Sequence, residues 1–290
     1  MAELTRPVLR WHGGKWRLAP WIISHFPAHR IYVEPFGGGA SVLLRKARAY
    51  GEVYNDLDSN LINLFRILRD PKEAECLARA IALTPYARDE FEAAYADADD
   101  PVDKARRFLV RSHMGFGSNS ATLDSARGTG FRANSNRSGS TPAHDWMRLP
   151  PVIAATAERF RGVTIENRPA ARVIDSTDSA QTLFYVDPPY LHETRSRENP
   201  HCAKHLYRHE LDGADHVALL EQLDAVAGMV VLSGYPSPIY DDALPAWRRV
   251  SIKALADGAR EREEVLWLNP QASAALERRG MPLFAEAAHG

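Results

Sequence analysis

Two hydrophobic periods alternate along the first 70 residues of the chain. IYVEPF (31–36) is a short run of the buried-strand kind. GGGASVLLRKARAYG (37–51) follows as a glycine turn, a predicted helix and a closing Gly51. EVYNDLD (52–58) predicts a second strand that ends in acids, and NLINLFRIL (60–68) then places its apolar residues at helical spacing. Strand, helix, strand, helix in that order is the pattern of an α/β layer built on a parallel sheet.

The period changes after residue 70. PKEAECLARAIAL (71–83), ARDEFEAAYADA (87–98) and VDKARRFLVRSH (102–113) predict three helices, with Asp-Pro joints at 70 and 100 and no strand between them. Residues 112–142 are dense in Gly, Ser, Asn and Arg and show no period, which predicts a long loop that is either functional or disordered. From about 150 the α/β pattern resumes: PVIAATAERF as helix, GVTIEN and TLFYV as strands, GADHVALLEQLDAV as helix, GMVVLSGYP as strand and REREEVLWLN as a last strand. The expected plan is one discontinuous α/β domain, residues 1–70 with 151–290, interrupted by a helical and loop-rich insert at 71–150.

Composition narrows this picture only a little. The 290 residues carry 36 Lys and Arg against 37 Asp and Glu, and 45% are hydrophobic, enough to fill a core. Net neutrality argues against a histone-like binder, yet residues 101–170 hold 11 basic against 5 acidic side chains. No apolar run is long enough to span a membrane, and MAELTRPVLRW at the N-terminus lacks the apolar core of a signal peptide, so an intracellular, cytoplasmic protein is expected. Two distant cysteines, Cys76 and Cys202, make no metal pattern and are expected to be reduced.

Two stretches carry candidate chemistry. In EPFGGGAS, Gly37, Gly38 and Gly39 join a strand to the following segment, and Asp56 ends the next strand 19 residues after Gly37. That layout suits a nucleoside cofactor, with the acid accepting the ribose hydroxyls, and does not separate a nicotinamide cofactor from S-adenosylmethionine. A side chain on Gly37 is expected to block such a cofactor. In LFYVDPPYL (183–191) a strand runs into Asp187, two prolines and Tyr190. Proline stops the ladder, so Asp187 is expected at a strand tip, beside the crevice where parallel sheets bind ligands. Asp187 and a neighbouring carbonyl form two acceptors at fixed spacing, with a flat ring beside them. An exocyclic amino group of a nucleobase needs this arrangement, because its lone pair is delocalised until both N–H bonds are gripped. The bland alternatives are a tight turn for the glycines and a strand-ending turn for the tetrad.

With these residues in view, the sequence resembles the Dam-type, D12 class DNA adenine-N6 methyltransferases. The resemblance rests on RWHGGKWRLAPWI (10–22), YVEPFGGGASVLL (32–44), VYNDLDSNLINLFRIL (53–68), FYVDPPY (184–190) and EVLWLN (264–269), in the family's order. It implies a Rossmann-like S-adenosylmethionine-dependent methyltransferase sheet with helices on both faces. It also implies Trp11, Lys15, Phe36, Gly37, Gly39, Asp56 and Asp187 at S-adenosylmethionine, Lys15 meeting the methionine carboxylate and Asp56 the ribose. Asp187 and the Pro188 carbonyl would grip the target amino group, and Tyr190 would stack on an adenine turned out of double-stranded DNA. One departure stands out: Gly38 occupies a place where the family usually has a larger residue.

The basic insert is the expected DNA-recognition region, with Arg127, Arg132, Asn134 and Arg137 as candidate contacts. Arg106, Arg107 and Arg111, on a predicted helix, are either phosphate contacts or ordinary surface charges. HCAKHLYRHE (201–210) is rich in histidine but lacks a ligand pattern, and no metal is expected. The resulting expectation is methyl transfer to adenine N6 in a specific duplex sequence, by a monomer or weak dimer, with a cognate restriction enzyme as a candidate partner. Cytosine N4 as target, a nicotinamide-dependent oxidoreductase and an inactive DNA-binding module are the competing readings.

Overall fold

Period two governs how the strands are buried. The computed structural model describes residues 4–117, 120–121, 130–133, 140–190, 211–255 and 261–280. Its strands are β1 (Ile31–Glu34), β2 (Gly51–Asn55), β3 (Val163–Glu166), β4 (Thr182–Val186), β5 (Met229–Gly234), β6 (Arg248–Leu255) and β7 (Glu261–Leu268). They form one sheet in the order β3-β2-β1-β4-β5-β7-β6. The first five are parallel, and β7 runs antiparallel between β5 and β6. Alternate residues sort into two cores. Tyr32, Leu183, Tyr185, Met229, Val231, Leu266 and Leu268 enter one, while Val33, Phe184, Val186, Val230, Leu232, Val265 and Trp267 enter the other. A sheet with helices on both faces requires this double burial, and the mixed α/β architecture agrees with the Rossmann-like sheet that the sequence resemblance implies.

The helices are α1 (Ala19–Ser24), α2 (Ser59–Arg69), α3 (Pro71–Leu83), α4 (Arg88–Ala93), α5 (Pro101–Met114), α6 (Pro142–Met147), α7 (Leu149–Phe160), α8 (Ala170–Thr177), α9 (Gly213–Ala225), α10 (Pro238–Ala243) and α11 (Pro270–Gly280). Asp-Pro pairs start two of them as the sequence predicts. Asp70 accepts from the N–H groups of Lys72 and Glu73, and Asp100 from that of Asp103, with proline in the first turn each time. Phe65 of α2 stacks on Phe160 of α7 at 4.4 Å, above Tyr54 of β2. Leu77, Ile81, Phe91 and Phe108, from α3, α4 and α5, belong to this same core.

The helix predicted after the glycine turn does not form. Leu44 N–H reaches Ala40 O, Arg45 and Lys46 N–H both reach Val42 O, and the coil stops there. Arg45 donates back to Trp16 O at 2.8 Å, and Lys46 turns inward to Glu52 Oε1 at 2.6 Å. The segment is thus tied to the start of β2, and Ala40 has a left-handed φ of 54° at the entrance. The strand β6 is an addition: its sequence RRVSIKAL mixes Arg248, Arg249 and Lys253 with apolar residues on a sheet edge.

Candidate active site

The strand order reverses between β1 and β4, and a crevice opens outside the carboxyl ends of strands at such a point. Here it holds a cavity of about 440 Å3. Four stretches line it: Trp11 to Lys15, Glu34 to Gly39, Asn55 to Asp58 and Asp187 to Pro189. Trp11, Lys15, Phe36, Gly37, Gly39, Asp56, Asp187 and Pro188 are therefore brought together from positions up to 177 residues apart (11 to 188).

The glycines are explained by the neighbours that press on them. A Cβ on Gly37 would stand 2.1 Å from Tyr54 Cε2, one on Gly38 2.8 Å from Trp11 Nε1, and one on Gly39 3.0 Å from Trp11 Cβ. Gly38 also has a φ of +47°, which suits glycine at this place. A side chain at Gly37 meets the fully buried Tyr54 ring before any ligand, so the expected direct occlusion of a cofactor is replaced by a packing conflict. Tyr54 is fixed by its own hydroxyl, which donates to Gly38 O at 2.7 Å. Asp56 braces the turn: Gly38 N–H donates to Oδ2 at 2.9 Å and Asp58 N–H to Oδ1 at 2.8 Å.

At the opposite wall, Lys15 Nζ donates to Asp187 Oδ2 at 2.9 Å and to Gly13 O at 3.0 Å. Lys15 is 6% and Asp187 18% exposed, so each charge offsets the other's loss of water. Ser233, at the end of β5, donates to Asp187 Oδ1 at 2.8 Å, and Tyr185 Oη lies 3.1 Å from the serine oxygen. Asp187 is thus held from both sides at the strand tip.

Tyr190 lies beyond Lys15 rather than in the cavity wall. Lys15 Nζ sits 4.6 Å from its ring centroid, and Tyr235 packs T-shaped against it at 4.4 Å. The Tyr190 hydroxyl donates to Glu264 Oε2 at 3.1 Å. Burial, with Asp187 and Glu264 nearby, pushes the phenol well above its ordinary range, so it remains protonated.

Sequence reasoning assigned no role to Glu34, Ser233 or Glu264. Glu34 is 2% exposed, lines the cavity and accepts from Tyr32 Oη at 2.7 Å. Burial pushes its carboxyl up to about 7, against the pull of the Tyr32 hydroxyl, the Leu43 backbone and the cations Lys46 and Arg159. Burial likewise raises Glu264. Strand ends were the available signal, since Glu34 and Ser233 close or nearly close β1 and β5 just as Val186 leads into Asp187.

Of the proposed DNA contacts, Arg127, Asn134 and Arg137 lie outside the described residues. Arg132 lies within them: its N–H donates to Met114 O at 2.7 Å, and its carbonyl accepts from Tyr86 Oη at 2.7 Å. Arg106 pairs with Asp103 and Glu90, Arg107 with Asp103, and Arg111 donates to Ala94 O. These three tie α4 to α5. Among the described residues there is no cluster of three or more potential metal ligands of the His, Cys, Asp and Glu types, and no helix is long and apolar enough to cross a membrane. The histidine-rich segment 201–210 lies outside them.

The family model for D12 class N6 adenine-specific DNA methyltransferases matches residues 11–235. A DNA adenine methylase of Serratia marcescens is 42% identical over 66 residues, 22% of this chain and 24% of that protein. The DNA adenine methylase of Escherichia coli K12 is 28% identical over 117 residues, 39% of this chain and 42% of that protein. A Type II methyltransferase of Lactococcus lactis subsp. cremoris is 25% identical over 261 residues, 82% of this chain and 84% of that protein. The chain therefore spans less than half the length of the first two and most of the third. With the family match covering every wall of the cavity, from Trp11 through Asp187 to Leu211, the chain belongs to the D12 class N6 adenine-specific DNA methyltransferases.

Proposed function

We propose that this protein transfers a methyl group from S-adenosylmethionine to the N6 amino group of an adenine extruded from double-stranded DNA. The observation that carries the reading is the Asp187 carboxylate, held by Lys15 and Ser233, opening on the same cavity as the glycine turn and Asp56.

The cavity fits the cofactor in size and charge. Its volume lies in the range of small-ligand sites. Among the described residues its wall carries four carboxylates, Glu34, Asp56, Asp58 and Asp187, and one Lys or Arg side chain, Lys15. That balance suits a ligand with an ammonium, a sulfonium and one carboxylate. It is hostile to the pyrophosphate of a nicotinamide dinucleotide, which would meet acids where it needs donors. Asp56 would take the ribose hydroxyls, Trp11 and Phe36 would supply apolar walls, and Glu34 would face the cationic part. Lys15 already bonds to Asp187, so its ammonium stands between the cofactor side and the target side.

S-adenosylmethionine supplies an electrophilic methyl when bound. Everything else falls to the chain's own groups. Asp187 and the Pro188 carbonyl accept the two N–H bonds of the amino group, which localises the nitrogen lone pair toward the methyl. The positive charge that develops on nitrogen lies against the Asp187 carboxylate, and the amino proton leaves along the hydrogen bond to it. Tyr190 holds the plane of the base. Target recognition falls to segment 71–150, whose described part reaches the cavity through Arg10 and Trp11.

The test is direct. The protein is incubated with unmethylated plasmid DNA and S-adenosylmethionine, and the DNA is digested to nucleosides. N6-methyladenine is the expected product. N4-methylcytosine in its place, or no methylated nucleoside, overturns the proposal.

A further inference from the structure

Among the described residues of this site, Glu264 is a buried acid that the chemistry above does not use. It stands on β7, one residue before Val265, which pairs with Gly234 at the end of β5. The antiparallel strand thereby delivers a carboxylate to the end of the sheet where Asp187 and Tyr190 emerge. The residue is 9% exposed, and its Oε2 takes the Tyr190 hydroxyl at 3.1 Å.

Burying a carboxylate is costly unless donors and cations compensate it. Here the compensation comes from the Tyr190 hydroxyl and from two cations. Lys15 lies over the Tyr190 ring, and Arg262 lies 5.1 Å from the Tyr235 ring centroid. A carboxylate only accepts, so the hydroxyl has a single direction in which to donate. The ring is then fixed at three places: the hydroxyl by Glu264, its face by Lys15, and its flank by Tyr235. A ring meant to set the plane of an inserted base needs such fixing, because a small tilt there displaces the reacting nitrogen from the methyl.

We infer that Glu264 is a positioning residue for methyl transfer, acting through its hydrogen bond to Tyr190 to fix the plane in which the extruded adenine stacks. This rests on the reading of Tyr190 as the stacking ring.

The experiment measures single-turnover methylation of unmethylated plasmid DNA at saturating S-adenosylmethionine, alongside the cofactor dissociation constant by calorimetry. The variants are Glu264→Leu, Glu264→Gln, Tyr190→Phe, Tyr190→Ala and the double Tyr190→Phe/Glu264→Leu. Glu264→Leu and Tyr190→Phe are each expected to slow transfer about tenfold, with cofactor affinity held within about twofold. The double variant is no slower than Glu264→Leu, because both changes remove one interaction. Glu264→Gln, which keeps an oxygen at that place, recovers most of the rate. Effects that multiply in the double variant overturn the inference, as does a cofactor affinity that falls as far as the rate. If Glu264→Leu does not fold, a wild-type rate for Tyr190→Phe overturns it by itself. A wild-type rate for Glu264→Leu with Tyr190→Ala impaired removes Glu264 and leaves the stacking role standing. A wild-type rate for Tyr190→Ala removes the stacking role and the inference together.

Discussion

Glu34→Gln tests the electrostatics of the cavity floor. Burial raises the Glu34 carboxyl from 4.5 to about 7. Because the folded value lies above the unfolded one, the native state binds more protons between these limits, and stability falls as pH rises through them. At roughly 1.4 kcal/mol per pKa unit, the gap corresponds to about 3 kcal/mol lost between pH 4.5 and pH 7 and nothing further above. Glutamine keeps an oxygen for Tyr32 and the Leu43 backbone and carries no titration. Replacing a carboxyl by an amide also changes stability by a constant amount, so the readout is the pH trend of the difference. Urea unfolding of both proteins from pH 4 to pH 8 should show Glu34→Gln gaining about 3 kcal/mol on the wild type across that window, then running parallel to it. Tyr32, pushed well above its ordinary range by burial, keeps its proton throughout and cancels in the subtraction. Curves that stay parallel from pH 4 to pH 8 refute the reasoning. The same carboxyl faces the cavity, so a bound cation there should expel its proton, and cofactor affinity should rise with pH until Glu34 is ionised.

Three other outcomes follow from the same contacts. Asp187→Ala abolishes methyl transfer, read as methylated nucleoside, while circular dichroism stays native, because the residue is at a strand tip; normal turnover contradicts its role. Gly37→Ala destabilises by about 1–3 kcal/mol in urea, since the new methyl meets a Tyr54 ring that its hydroxyl bond to Gly38 prevents from moving. An unchanged midpoint there would mean the turn yields freely. Glu52→Ala costs about 3–5 kcal/mol, because Lys46 at 2.6 Å and Arg159 at 2.6 Å lose their carboxylate while buried; a loss below about 1 kcal/mol would show that they find water or another anion.

The sequence makes some of this legible and hides the rest, for identifiable reasons. β1, β4 and β5 are buried on both faces, and they and β2 end at or just before proline, glycine or acid, so their limits are written in residue type. Asp70-Pro71 and Asp100-Pro101 mark helix starts because cap and first turn are adjacent letters. The segment after Gly39 misleads, because ASVLLRKARA has helical propensity while its fate is decided by Trp16 and Glu52, contacts with no local signature. β6 hides because an edge strand mixes charges with apolar residues and lacks a solid hydrophobic run. The site divides in the same way. Asp187 and Asp56 announce themselves next to glycine and proline. Glu34 is one letter among YVEPF until the fold buries it, and Glu264 becomes a neighbour of Tyr190 only through antiparallel pairing 74 residues later.

The short N-terminal stretch gains a physical meaning from its contacts. Residues 10–15 lie outside every strand and helix, yet they touch three parts of the site. Arg10 N–H donates to Ser112 Oγ, and its guanidinium donates to Gly115 O, just past the end of α5 within the basic insert. Trp11 packs against Phe108 of α5 and presses its indole onto Gly38 and Gly39. Lys15 bonds to Asp187 and lies over Tyr190. An amino-terminal stretch so far from the tetrad in the chain thus stands beside it in space, tied at once to α5, to the glycine turn and to Asp187.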